Sequence, residues 1–217
     1  MKTIQKTGGI AALFACFSFI FGFALFFTAL KPLGGESSWQ DILAVLMERE
    51  GLVYLWNLVI YVFFGIALVP LSLVLAKQTE EKLPLLSSVA SVFGFLWAGL
   101  VIASGMVANV GISAVLVMAV ENTEAAESLW TAVDTVSIGL GGGNEIVGGI
   151  WVMLVSLAGG LTKRLPHLLV FLGSVSGAAG IVTLIPALSF LGALFGLGLI
   201  IWFFGVGLYL ICDRTTK

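Results

Sequence analysis

Six apolar runs, near 9–30, 52–76, 85–106, 143–162, 168–188 and 190–212, constrain this chain more than any other feature. Each is long enough to cross a hydrocarbon layer of about 30 Å as a helix. Backbone in lipid has to satisfy its own hydrogen bonds, so runs of this length read as helices and not as loops or open strands. Composition agrees. Of 217 residues, 59% are hydrophobic and 10% charged, against roughly 45–50% and about 25% in soluble domains. The expected fold is all-α: one membrane domain over 1–217, a polytopic bundle of six transmembrane helices. Segments 31–51 and 107–142 would form a partly helical extracytoplasmic cap. The first run follows Lys2 and Lys6, as in a signal peptide. Its length of about 22 residues, with no small-x-small cleavage site behind it, identifies a retained helix instead.

Orientation follows from the basic residues, which stay on the cytoplasmic side when they lie near helix ends. With both termini inside, Lys2, Lys6, Lys77, Lys82, Lys163, Arg164, Arg214 and Lys217 are cytoplasmic, and only Lys31 and Arg49 are outside. The carboxylates divide the other way. Glu36, Asp41, Glu48, Glu50, Glu121, Glu124, Glu127, Asp134 and Glu145 gather on or toward the outer side. Membrane lipids are the first expected partner, and composition excludes nucleic acid.

Along the chain, the phenylalanines of the first helix fall on every side of it, which suits lipid and helix contact. Pro32, Gly34 and Gly35 then break the helix, and Ser38 with Asp41 makes a capping pattern. Residues 38–50 read as a short helix on the outer surface or over the bundle, or as an extension of the second span. Pro84 and Pro166 each open the helix after a basic turn, where a missing N–H costs nothing. Asn57 precedes Lys77 much as Asn144 precedes Lys163, a weak likeness between 57–100 and 144–183 compatible with a duplicated hairpin or with chance. Spacings such as Gly173-xxx-Gly177 and Gly192-xxx-Gly196 point to close helix packing.

The stretch Trp130–Trp151, WTAVDTVSIGLGGGNEIVGGIW, is where polar residues enter apolar sequence. Counting about 20 residues back from Lys163 at about 1.5 Å each reaches Gly143, so Glu145 belongs near the outer boundary and not the midplane. The same count brings Asn57, Asn109 and Asn144 to that level. Met106–Val120 lies past the expected end of the third helix and is nearly all apolar. Either the third and fourth helices project outward as a hairpin, or the region folds back as a cap. Ser128 is the expected cap of a helix starting at Leu129, and Gly139–Gly143 the expected break before the fourth span. An unbroken helix would instead hold Asp134 and Glu145 on nearly one face at about 16 Å, as in a proton relay.

Two readings of this level stay open. In one, Glu145, Asn144, Asn57, Asp134 and Asn109, rimmed by Tyr54, Trp56, Trp130 and Trp151, form an outward vestibule for a small cationic or amphiphilic ligand. In the other, Glu145 meets interfacial water or pairs with Arg49 or Lys31, and the aromatic residues are an interfacial belt. Cys16 and Cys212 stand in no spaced motif, so neither a disulfide nor a thiolate metal site is expected. GLGGGNE lacks the Lys-Ser/Thr of a phosphate loop, and no nucleophile elbow occurs. No metal, cofactor or enzymatic activity is therefore expected, and His167 reads as a loop residue.

The segment NEIVGGIWVMLVSLAGGLTKRLPHLLVFLGSVSGAAGIV, a polar-started span, a basic Leu-Pro turn and a Gly-rich span, carries a resemblance. It resembles, loosely over 50–215, the bacterial six-helix membrane proteins grouped as domain of unknown function four-three-eight-six. The resemblance implies a multi-pass protein of the bacterial inner (plasma) membrane, and it brings no activity and no site residues. The leading functional expectation is a ligand- or partner-binding membrane protein. A cation- or proton-coupled transporter acting as a homo-oligomer, or a structural subunit of a membrane complex, are the alternatives.

Overall fold

The computed structural model describes residues 2–34, 37–142 and 145–212. Glu36, Arg214 and Lys217, used above for orientation, lie outside them. Among the described residues all regular structure is helical: α1 (Lys2–Thr28), α2 (Trp39–Glu48), α3 (Glu50–Asn57), α4 (Phe64–Thr79), α5 (Pro84–Glu121), α6 (Thr123–Ser137), α7 (Ile146–Leu161), α8 (His167–Val182) and α9 (Leu191–Cys212). A wide π-helical stretch, Leu58–Phe63, joins α3 to α4 in one rod, Glu50–Thr79. Among the described residues, five stretches are long and apolar enough to cross a membrane: Thr3–Thr28, Glu50–Thr79, Pro84–Glu121, Thr123–Leu161 and Leu191–Cys212. The apolar α8 is shorter, at 16 residues.

Six helices close a ring in the order α1, α4, α5, α7, α8, α9, each packed on the next and α9 again on α1. Gly9 of α1 approaches Gly207 and Ile211 near the end of α9, and Phe23 approaches Gly196 near its start, so these two helices are antiparallel. The start of α1 and the end of α9 therefore lie on the face of the turns at 80–83 and 162–166. The middle of the ring is filled by aromatic side chains. Phe64, Trp97, Trp151, Phe195, Trp202 and Phe203 are all buried, with ring centroids 5.6 Å apart for Trp97–Trp151 and 5.7 Å for Trp151–Trp202.

Small residues let these large ones in. Ser72 of α4 faces Gly94 of α5, and the indole of Trp151 lies over the same glycine; a Cβ there would collide with both. Ser156 of α7 faces Gly173 of α8 under Trp202 in the same way. One serine, one glycine and one tryptophan thus meet in the same way at the α4–α5 and the α7–α8 contacts.

α5 does not end with the ring. Its 38 residues extend about 57 Å at 1.5 Å per residue, close to twice the hydrocarbon thickness. No proline interrupts it after Pro84, and its outer half is accompanied by α6, which returns along it. The region is a projecting hairpin. The cap of α6 is Asn122, whose side chain accepts the Ala125 N–H at 3.0 Å, and not Ser128 as the sequence suggested. Asn122 sits in extended backbone at φ −152°, so the chain turns there directly, while Ser128 lies inside α6 and donates to the Glu124 carbonyl. The Ser38 cap is formed: its Oγ accepts the Asp41 N–H at 3.2 Å and donates to the Asp41 carboxylate at 2.7 Å. α2 is a separate short helix. With α3, the outer half of α5 and α6, it encloses a second apolar core of Leu30, Trp39, Leu46, Val53, Ile112, Val115 and Ala126.

Candidate functional site

The candidate site lies where the ring meets this outer hairpin, and both long rods lose α-helical regularity there. α3 passes into α4 through the π-helical residues 58–63, and α6 passes through Ile138–Gly142 before α7 begins at Ile146. Gly141 adopts φ +125°, a conformation that side chains rarely tolerate, so the break falls within the glycine run where it was expected. π-turns widen a helix and redirect its side chains, and they are frequent at functional sites.

Polar groups tie the level together. The Asn57 side-chain amide donates to Asn109 at 2.9 Å between α3 and α5. The Ser104 hydroxyl meets both the Ser137 carbonyl, at 2.9 Å, and the Ser137 hydroxyl, at 2.8 Å, between α5 and α6. Trp56 donates its indole N–H to the Gly22 carbonyl of α1 at 3.1 Å. Tyr54 pairs with Ser113. These contacts hold α1, α3, α5 and α6 in one register around open space.

That space is two adjoining cavities that share Phe26, Trp56 and Tyr61 as walls. The inner one, of about 310 Å³, is lined by Ser18, Phe19, Gly22 and Phe23 of α1, by Ile60, Phe64, Trp97 and Val101, and by Gly141 and Glu145. The outer one, of about 290 Å³, carries Asn57, Ile112, Trp130, Val133, Asp134 and Ser137. Among the described residues each cavity has one charged lining group, Glu145 in the inner and Asp134 in the outer, and neither has a basic one. Both carboxylates are half-buried. Glu145 sits at the N-terminus of α7, where its own carbonyl accepts the Gly149 N–H at 2.8 Å. The dipole of that helix end makes it a favourable seat for a carboxylate.

Of the residues singled out in the sequence, Glu145, Trp56, Asn57, Asp134 and Trp130 line the cavities, and Asn109 braces them through Asn57. Asn144 lies outside the described residues. Trp151 stands apart: it is fully buried in the aromatic centre of the ring, between Trp97 and Trp202, and lines neither cavity. It lies twelve residues before Lys163, about 18 Å from that end of α7, which is too deep for an outer rim. Arg49, considered as a partner of Glu145, donates instead to the Ala29 carbonyl at 2.7 Å.

The sequence reading did not select Tyr61, Phe19, Phe23, Phe26 or Trp97. A signal for most of them existed. Tyr61 follows Asn57 by four residues, and Phe19, Phe23 and Phe26 recur at helical spacing, so each set shares a face. The flanking phenylalanines hid that face by covering the rest of α1. No group of three or more His, Cys, Asp and Glu side chains among the described residues is arranged to hold a metal ion.

Chemically, the inner cavity offers several aromatic faces and one carboxylate in an otherwise apolar space. Aromatic faces attract cations, most strongly where water is excluded, and a carboxylate supplies the counter-charge. Compared with protein-family models, with curated proteins and with solved structures, the chain finds no match.

Proposed function

We propose that this chain is a six-span protein of the bacterial inner membrane, both termini cytoplasmic, that binds a small cationic or amphiphilic ligand in the inner cavity through Glu145. The observation that carries this reading is the cavity itself: about 310 Å³, walled by Phe19, Phe23, Phe26, Trp56, Tyr61 and Trp97, with Glu145 as its charged lining group. The volume lies at the small end of ligand sites and suits a quaternary ammonium group with short substituents. The basic turns at Lys77–Lys82 and Lys163–Arg164, on the face that also holds the start of α1 and the end of α9, support the orientation. The position of α8 between α7 and α9 supports counting it as the sixth span.

The test uses tetrapropylammonium on the purified protein. The expected result is a saturable rise in the thermal transition for the native chain and, for Glu145→Gln, binding weakened at least about tenfold. An equal response from both would reject the reading.

A second reading, cation- or proton-coupled transport, is favoured by one specific feature: Asp134 and Glu145 occupy adjoining cavities at a level where both rods are interrupted. Irregular helices lining cavities are the usual architecture of transporter ion sites. Proteoliposomes separate the two readings. Uptake of the cation that is lost in both Glu145→Gln and Asp134→Asn supports transport, and binding without uptake supports the first.

A further inference from the structure

The outer cavity carries a carboxylate that binding through Glu145 alone leaves unused. Asp134 lines it beside Asn57, Trp130 and Ser137, as Glu145 lines the inner cavity. Among the described residues neither carboxylate has a basic group in its cavity. Lys31 and Arg49, the basic residues expected on this side, line neither one, and Arg49 is held by the Ala29 carbonyl. A half-buried negative charge is costly unless it is paired, so each cavity calls for a cation of its own.

The two cavities are not independent. Phe26, Trp56 and Tyr61 wall both, with Phe26 stacked on Trp56 at 6.5 Å between ring centroids and Trp56 edge-on to Tyr61 at 6.3 Å. Tyr61 lies within electrostatic reach of both Glu145 and Asp134. The boundary between two anionic cavities is therefore aromatic. Such a surface suits a hydrocarbon chain lying along it and offers ring faces to an ammonium group on either side. Two separate monocations so close together would repel each other, and a single amphiphile would leave one carboxylate without a counter-charge. In a dication the repulsion is already present in solution, and the chain supplies the second cation at high effective concentration.

We infer that the two cavities are the two ends of one site whose ligand is an elongated dication: two ammonium groups joined by an apolar chain. One ammonium group pairs with Glu145 and the other with Asp134, and the chain lies against Phe26, Trp56 and Tyr61. This rests on the Glu145 site proposed above and adds to it a second charged end and a length. Round cavities of about 310 Å³ and about 290 Å³ would each be about 8 Å across, which places the two cation seats on the order of 8–10 Å apart. Affinity is greatest when the linker matches the span, here about six methylenes.

The test compares hexamethonium, two trimethylammonium groups on six methylenes, with hexyltrimethylammonium, the same chain with one charge. Both are titrated calorimetrically into the purified full-length protein. Hexamethonium should bind one molecule per chain and at least about tenfold more tightly than hexyltrimethylammonium. The dication with three methylenes should lose that advantage. Asp134→Asn should lose it too while binding hexyltrimethylammonium within about twofold of the native chain, which also shows the variant to be folded. Glu145→Gln should weaken both compounds. Equal affinity of the two compounds for the native chain, two hexamethonium molecules per chain, or an Asp134→Asn protein that keeps the preference would overturn the dication and leave the Glu145 site standing. Binding of both compounds unchanged in Glu145→Gln would reject the Glu145 site, and this inference with it.

Discussion

The molecule holds two apolar cores built on different rules. The core of the ring is aromatic and close-packed, and its helices are joined by glycine and serine contacts: Ser72 and Trp151 over Gly94, Ser156 and Trp202 over Gly173. The core of the outer hairpin is mainly aliphatic, with Trp39 among it, and the helices α2, α3 and α6 that enclose it with α5 are amphipathic, with capped ends at Ser38 and Asn122. Lipid tails are as apolar as the side chains, so burial drives little association inside a bilayer and shape complementarity has to hold the ring together. In contact with water, burial of an apolar face is the driving force. The two cavities lie where the ring meets the hairpin.

This contrast predicts a graded series of effects. Trp151→Ala removes a fully buried side chain from the aromatic centre and should cost about 3–5 kcal/mol, seen as a large fall in the thermal transition of the whole protein. Ile112→Ala, buried in the outer core, should cost about 2–4 kcal/mol. Its loss should appear mainly as faster amide exchange in α2 and α6, with the ring still protected. Equal loss of protection in α8 and α9 would show the two cores to be one cooperative unit. Gly94→Ala places a methyl group against Ser72 and Trp151 and should cost about 1–3 kcal/mol by overpacking; a neutral result would mean that α4 and α5 separate freely. Asn122→Ala removes the N-cap of α6 and should cost about 1 kcal/mol, confined to fraying of the first turn of α6 in exchange measurements.

The comparison also explains what could be read in the chain beforehand. Apolar length marks the membrane-crossing helices, and local chemistry marks the cap at Ser38 and the break in the glycine run, because each of these depends on neighbours in sequence. Counting from Lys163, Lys77 and Pro84 brought Glu145, Asn57 and Asn109 to about one level for the same reason, since helical rise is constant. The π-helical stretch at 58–63 was not legible. It carries no proline or glycine, and its widening accompanies packing against α5, where Gly105 meets Tyr61. The continuation of α5 to Glu121 was one of two alternatives left open by the sequence, since Met106–Val120 is apolar and carries no proline while a bilayer accounts for only about 20 residues of helix. Trp151 looked like an interfacial residue by type; its burial depends on Gly94, which lies on another helix.

The account rests on a charge-selective site at Glu145, and one comparison isolates charge from shape. Choline and its uncharged isostere 3,3-dimethylbutan-1-ol fill nearly the same volume. Calorimetric titration of both into the purified protein should show choline binding at least about tenfold more tightly, the equivalent of about 1.4 kcal/mol. That preference should vanish in Glu145→Gln. Equal affinity of the two compounds for the native protein would contradict the central claim.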